Sequence, residues 1–323
     1  MSAWLSSGCR KVYIASFGTI SGITDGFLTF LIFVRTFPKT QTFLSKLGAR
    51  ITYDLWDGAG RGLILVHGLA SNAKLFWPLA ERLDDLGYRV AAVDQRGHGR
   101  SDKPDSGYGF DEVCSDLFDL TENLSAADEG WSNAILIGQS WGASVVLEEA
   151  RRSSGCYSGV VLIDGGVVPM FRHIATWEEC QERLAPPDLL GLSYATFEGF
   201  VRSHHPDWSE DAIEGTLANM ELLSDGTIRP HLSRSNHMEI LKSLWEYDPI
   251  EAFSTMKLGS LLLLAASGDE MTDYKEHWAK EIETVKPEVK TVWFEGADHD
   301  LHAQYPDRVA MIIDQEIKNG VLK

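Results

Sequence analysis

Positive charge is in short supply in this chain. Lys and Arg number 29 against 47 Asp and Glu, a formal net charge of -18 over 323 residues. Such a surface repels phosphate backbones and anionic headgroups, so nucleic acid is excluded as an expected partner. Cysteine is scarce too. Cys9, Cys114, Cys156 and Cys180 form neither a CxxC pair nor a disulfide framework, which points to free thiols, a reducing cytoplasmic location and no structural zinc. Internal repeats and low-complexity linkers are absent, and one apolar stretch alone, Tyr13 to Val34, approaches membrane-spanning length. It carries Asp25, three glycines and several hydroxyl residues, which make it a poor spanning helix. No small-x-small cleavage site follows it. The expectation for residues 1–40 is therefore an N-terminal helical segment packing on the domain or on its helical insertion. Membrane association through residues 13–34 is the less favoured alternative, and a removed or mistranslated extension the third. The sequence does not set the oligomeric state.

What is present is enough apolar sequence to build a substantial core: 44% hydrophobic against 24% charged residues. Apolar runs alternate with helical patterns, the signature of a mainly parallel sheet. Strands are predicted at 49–56, 62–68, 88–97, 133–138, 158–166, 259–267 and 290–296. Helices are predicted at 73–87, 110–124, from Ser140 onward, at 273–284 and at 303–318. The alternation stops between Val167 and Glu246, where aromatic helical stretches and Pro186-Pro187 occur with no convincing strand. This divides the chain into a core of residues 41–166 and 247–323 and a helical insertion of residues 167–246.

The run Gly138-Gln139-Ser140-Trp141-Gly142 closes a buried strand and opens a helix. A sharp strand-to-helix turn strains its central residue, and small residues two places either side let strand and helix approach. Ser140 is thereby lifted clear of the backbone at a helix N-terminus. A serine hydroxyl needs a histidine base and an acid that fixes the histidine tautomer. Downstream, His299 follows one predicted strand and Asp269 the one before it, leaving one helix and one strand between them. For the developing oxyanion, the backbone amides of Leu69, after His67-Gly68, and of Trp141 are the expected donors. A metal site at Asp298, His299, Asp300 and His302 has no second cluster of ligands to complete it, and no cofactor is expected.

These features together resemble the α/β-hydrolase fold superfamily, in the group with a helical cap. The carriers are His67-Gly68, the stretch from Asp94 to Pro104, the elbow from Gly138 to Gly142, Asp269, and His299 followed by Pro306; they span residues 49 to about 318. The resemblance implies a doubly wound α/β sheet with a cap inserted after the sixth core strand. It also implies mainly structural roles for Asp94, Arg96, Ser101 and Asp102. Asp269 stands in the family's commonest position for the acid, and Asp164, which also ends a core strand, is the competing candidate. Serine at the elbow, where epoxide hydrolases and haloalkane dehalogenases of this fold carry aspartate, argues against alkyl-enzyme chemistry. Proline iminopeptidases share Ser-Trp-Gly but have HGGPG where this chain has His67-Gly68-Leu69-Ala70-Ser71.

The insertion supplies Met170, Phe171, Trp177, Tyr194, Phe197, Phe200, Trp208, Met220 and Trp245, from which an apolar pocket wall can be built. His67, Gly68, Met170 and Trp177 are the expected substrate-binding residues. The expectation is a serine hydrolase acting on a small-molecule ester or related carbonyl substrate, uncharged or hydrophobic, with lactones included. Ser140 is its nucleophile, His299 its base and Asp269 its acid. Carbon-carbon bond hydrolysis of a diketone-like compound, an aminopeptidase and a ligand receptor on a hydrolase scaffold remain the alternatives.

Overall fold

In the computed structural model, residues 37–323 are described in full and residues 10–14 and 32–36 by their backbone alone. Strands β1 (Arg10–Ile14) and β2 (Ile32–Thr36) pair antiparallel. The ends of the apolar N-terminal stretch are thus strands, not the expected helix. Its centre, residues 15–31, lies outside the described residues, and the membrane-association alternative lies there with it. Among the described residues no helix is long and apolar enough to cross a membrane.

Strand β3 (Lys39–Leu44) is an edge strand that sequence pattern did not reveal. Its side chains are largely exposed on both faces, so no apolar alternation marks it, and it is held by its antiparallel ladder to β4 (Arg50–Asp57). The sheet therefore reaches back into the segment first set apart as residues 1–40. Next come β5 (Gly62–Val66), α1 (Trp77–Asp85), β6 (Arg89–Asp94), α2 (Phe110–Ala127), β7 (Ala134–Gln139), α3 (Trp141–Arg152) and β8 (Tyr157–Ile163). After β8 the chain leaves the sheet for α4 (Trp177–Leu184), α5 (Tyr194–His204), α6 (Glu210–Leu217), a short hairpin of β9 (Met220–Leu222) and β10 (Ile228–Pro230), and α7 (Arg234–Glu246). That hairpin corrects the expectation of a strandless insertion. The four helices each begin at a hydroxyl residue, Thr176, Ser193, Ser209 and Ser233, whose oxygen accepts from a first-turn amide. The chain returns through α8 (Pro249–Thr255), β11 (Gly259–Ala266), α9 (Glu270–Val285), β12 (Lys290–Glu295), α10 (Leu301–Gln304) and α11 (Pro306–Lys318).

The eight-stranded sheet has the order β12-β11-β8-β7-β5-β6-β4-β3 and is parallel except where β4 meets β3 and β6. Its central strands are apolar on both sides because side chains of neighbouring residues enter opposite layers. Ile64, Leu136, Val160 and Leu262 join one core with α2, α3, α8 and α9. Leu63, Ile135, Val161 and Leu261 join the other with α1 and α11.

The loop after β6 is held by charges withdrawn from water. Arg96 donates from Nε and Nη2 to Asp116 on α2 at 2.7 and 2.8 Å, and from Nη1 to the carbonyl of Gly107 at 2.7 Å. Asp94 accepts from the Ala73 amide at 2.8 Å and from Arg100 Nε at 2.7 Å, and Ser101 bridges the Asp94 carbonyl and the Thr52 amide. Asp102 pairs with Arg50 at the surface. All four residues act on the loop. Arg96→Met should leave Asp116 buried without its partner and lower unfolding stability by about 3–5 kcal/mol. Urea denaturation checks this; a loss under about 1 kcal/mol would mean that water replaces the guanidinium.

Candidate active site

Ser140 lies between β7 and α3 with φ 55° and ψ -121°, a conformation that non-glycine residues rarely adopt. Its amide donates to the Ile163 carbonyl at 2.9 Å, and its own carbonyl accepts from the Ala143 amide at 3.0 Å. The flanking glycines are required by contact. A Cβ at Gly138 would overlap the Gly142 carbonyl, and one at Gly142 would overlap the carbonyl oxygens of Val66 and His67. Gly165, just past β8, is pressed against the backbone of Ser140 in the same way. The hydroxyl is thus presented where β5, β7 and β8 end.

His299, on the loop after β12, donates from Nδ1 to Oδ2 of Asp164 at 2.7 Å. This corrects the expected pairing with Asp269. Asp164 directly follows β8 at φ 43°, and its Oδ1 accepts from the Ala265 amide at 2.9 Å and from Lys275 Nζ at 2.8 Å. Asp269 lines the same cleft, but its carboxylate is engaged as the N-cap of α9, where it accepts from the amide and hydroxyl of Thr272 at 3.0 and 3.1 Å. The helix begins at Glu270, earlier than its predicted start at 273.

Burial of Asp164 favours the neutral acid, but the bond from His299, reinforced by Lys275, outweighs it and holds the carboxyl below its ordinary range. The protein around His299 withdraws its ring only in part, the side chain being 56% exposed, which disfavours the imidazolium somewhat, and the Asp164 bond with the charges of Asp300 and Asp164 raises its pKa overall. Because a carboxylate only accepts, the neutral ring carries its proton on Nδ1 and leaves the Nε2 lone pair free.

Ser140, Asp164 and His299 line one cleft of about 600 Å³, together with Gly165, Gly166, Val167, Val168, Met170, Ile174, Leu244 and Met271. Met170 is therefore where it was expected. Trp177 is not: it packs beside Trp245 in a cluster with Ile174, Cys180 and Leu241. His67 is fully buried away from the cleft, its Nε2 accepting from the Gln95 amide at 3.0 Å and its Nδ1 donating to the Gly68 carbonyl at 2.8 Å. Burial pushes this imidazole down to about 4, so it is a neutral strut. Gly68 touches the site from behind, since a Cβ there would stand 2.9 Å from Cβ of Ser140. Leu69 follows it, half-buried against the same insertion cluster as Trp177. Trp141 opens α3 with its ring stacked on His98. Sequence reasoning missed Lys275 altogether. Among the described residues no group of three or more His, Cys, Asp or Glu is arranged to hold a metal ion.

The glycine contacts give a direct test. Gly142→Ala should push the elbow against β5 and destabilise the fold by about 1–3 kcal/mol, the cost of overpacking a filled site. Thermal unfolding checks it, and an unchanged melting temperature would show that the close approach is not a constraint.

The sequence profile described as the alpha/beta hydrolase family matches residues 63–312. The chain is 27% identical over 259 residues to 2-(acetamidomethylene)succinate hydrolase of Mesorhizobium japonicum, covering 80% of this chain and 88% of that protein. It is 36% identical over 131 residues to monoacylglycerol lipase of Mycolicibacterium smegmatis, covering 38% of this chain and 45% of that one. Among solved structures, an E-2-(acetamidomethylene)succinate hydrolase superposes with a TM-score of 0.73 at 24% identity, over 87% of this chain and 99% of that one. The esterase EaEST of Exiguobacterium antarcticum superposes with a TM-score of 0.66 at 18% identity, over 87% of this chain and 100% of that one. With the profile matched over most of its length and the same fold in these neighbours, the chain belongs to the alpha/beta hydrolase family and is a hydrolase.

Proposed function

We propose that the protein is a serine hydrolase that cleaves carboxylic esters, lactones included, through an acyl-enzyme on Ser140. The observation that carries this is the strained Ser140 elbow in the same cleft as the His299–Asp164 pair. In the proposed reaction the Ser140 hydroxyl attacks the substrate carbonyl while His299 Nε2 takes its proton. Asp164 holds the ring by its Nδ1–H and stabilises the imidazolium. The amides of Leu69 and Trp141 receive the oxyanion. Collapse expels the alcohol, which takes the proton back from His299. Water, activated by the same histidine, then releases the acid and restores the serine. The reaction calls for no cofactor.

Substrate polarity is inferred from the cleft wall. Val167, Val168, Met170, Ile174, Leu184 and Leu244 offer apolar contact, which suits an uncharged or hydrophobic acyl or alcohol group. The relative from Mesorhizobium is named for a substrate bearing an acetamido group, so a test panel needs an acetamide beside the esters.

Ser140→Ala should fold normally and lose turnover of short p-nitrophenyl esters by several orders of magnitude. A fluorophosphonate should add to Ser140 alone, as read by peptide mass spectrometry. Labelling of another serine, with turnover retained in Ser140→Ala, would remove this function. The acid limb offers a second test. His299 acts as base only when neutral, and its pKa is raised above the ordinary 6.5. kcat/KM for an aryl ester should therefore fall, as pH is lowered, through a midpoint above 6.5. A midpoint below that value would show that Asp164 does not raise the proton affinity of the ring.

A further inference from the structure

α9 turns an apolar face to the core, on which Trp278, Ala279 and Ile282 are buried. One helical turn before them, the same face carries Lys275, which is 7% exposed. A lysine at such a position is costly unless something uses its charge. Its Nζ donates to Oδ1 of Asp164 at 2.8 Å and to the carbonyl of Ala265 at 2.7 Å, and the residue borders the cleft. Packing alone would be met by methionine or leucine.

We propose that Lys275 is a positioning residue that sets the proton affinity of His299 through the carboxylate of Asp164. This rests on the function proposed above for Ser140, His299 and Asp164. The two oxygens of Asp164 are divided: Oδ2 faces His299, and Oδ1 is held by the Ala265 amide and the Lys275 ammonium. The double hold prevents the carboxylate from turning away from the ring. The positive charge also cancels part of the field that Asp164 exerts on His299. The imidazole therefore stays free as a base to lower pH than it would beside a lone aspartate, and gives its proton more readily to the leaving alcohol.

The other charges around His299 stay constant in the test. They are Asp298 and Asp300 on its own loop, His302 on α10 and Asp269 at the start of α9. From the insertion come His173 and Arg183 on the cleft wall and His205, whose Nδ1 is 3.9 Å from Asp298. None of them contacts Asp164 through a hydrogen bond or ion pair among those described.

The test uses the full chain as wild type, Lys275→Met and Lys275→Gln, with thermal unfolding as the check of fold. Glutamine keeps a hydrogen-bond donor while removing the charge, and serves if methionine is not tolerated. Histidine is labelled with nitrogen-15, the His299 signals are assigned by their loss in His299→Gln, and the ring is titrated without substrate. The His299 pKa should rise by about one unit in the folded variants, the scale expected for loss of a neighbouring charge. The acid limb of kcat/KM for p-nitrophenyl acetate should move up by the same amount. An unmoved His299 titration in a folded variant overturns the proposal, whatever happens to the rate. A wild-type protein that turns over no ester, with the titration shift intact, would instead remove the ester-hydrolase reading and leave the role of Lys275 standing.

Discussion

The site depends on how closely the turn between β7 and α3 is pressed into its surroundings. Ser140 holds a conformation that would cost an isolated chain about 1–3 kcal/mol, and it persists because the backbone is gripped on three sides. β5 lies against Gly142, the start of α3 folds onto Gly138, and Gly165 beyond β8 packs on Ser140 itself. Each contact requires the absence of a side chain. The two apolar layers of the sheet, which fix the spacing of β5, β7 and β8, are what let a strained serine survive.

The charges follow from the same strand ends. Asp164 emerges directly from β8, next to β7 in the sheet, so its carboxylate lies close to the elbow and meets the loop that returns from β12. Its oxygens receive a backbone amide, an ammonium and an imidazole N–H, a set of donors that keeps a buried carboxylate ionised. By contrast, the imidazoles of His67 and His98 are held neutral by burial, with Nε2 accepting from the amides of Gln95 and Ala70. Their work is to brace the loops after β5 and β6. Similar histidines in neighbouring turns thus differ in whether a ring nitrogen meets a carboxylate, as in His299, or backbone groups alone, as in His67 and His98.

Much of this was visible in the residues. Continuous apolar runs marked the buried strands, and Gly-x-Ser-x-Gly marked the elbow, because each pattern is written in consecutive residues even where the contact that demands it, as between Gly142 and Val66, is distant in the chain. Choosing between Asp164 and Asp269 was of another kind. Both end strands, and the choice turns on which end lies nearer the returning loop and on whether a helix has already claimed the side chain. A local sign did exist: Asp269-Glu270-Met271-Thr272 is a helix start with an acidic cap, and Lys275 on the apolar face of that helix signals a buried anion for it to meet. Strand β3 was hidden because its threonines and glutamine show no buried face. Most aromatic residues of the insertion pack into its own apolar clusters, as Tyr194, Phe197 and Trp208 do, and leave the cleft wall to residues such as Val167, Val168 and Leu244. Such sorting depends on helix orientation, which composition does not carry.

The proposed chemistry stands or falls on whether Asp164, and not Asp269, orients the base that activates Ser140. Pre-steady-state acylation by an aryl ester, compared between Asp164→Asn and Asp269→Asn, measures this most directly. Asp164→Asn should slow acylation by a factor on the order of 10³ to 10⁴, because a neutral amide neither holds the Nδ1–H tautomer nor stabilises the imidazolium. Asp269→Asn, which disturbs only a helix cap, should acylate at close to the wild-type rate. The reverse pattern in two folded variants would contradict the assignment of Asp164.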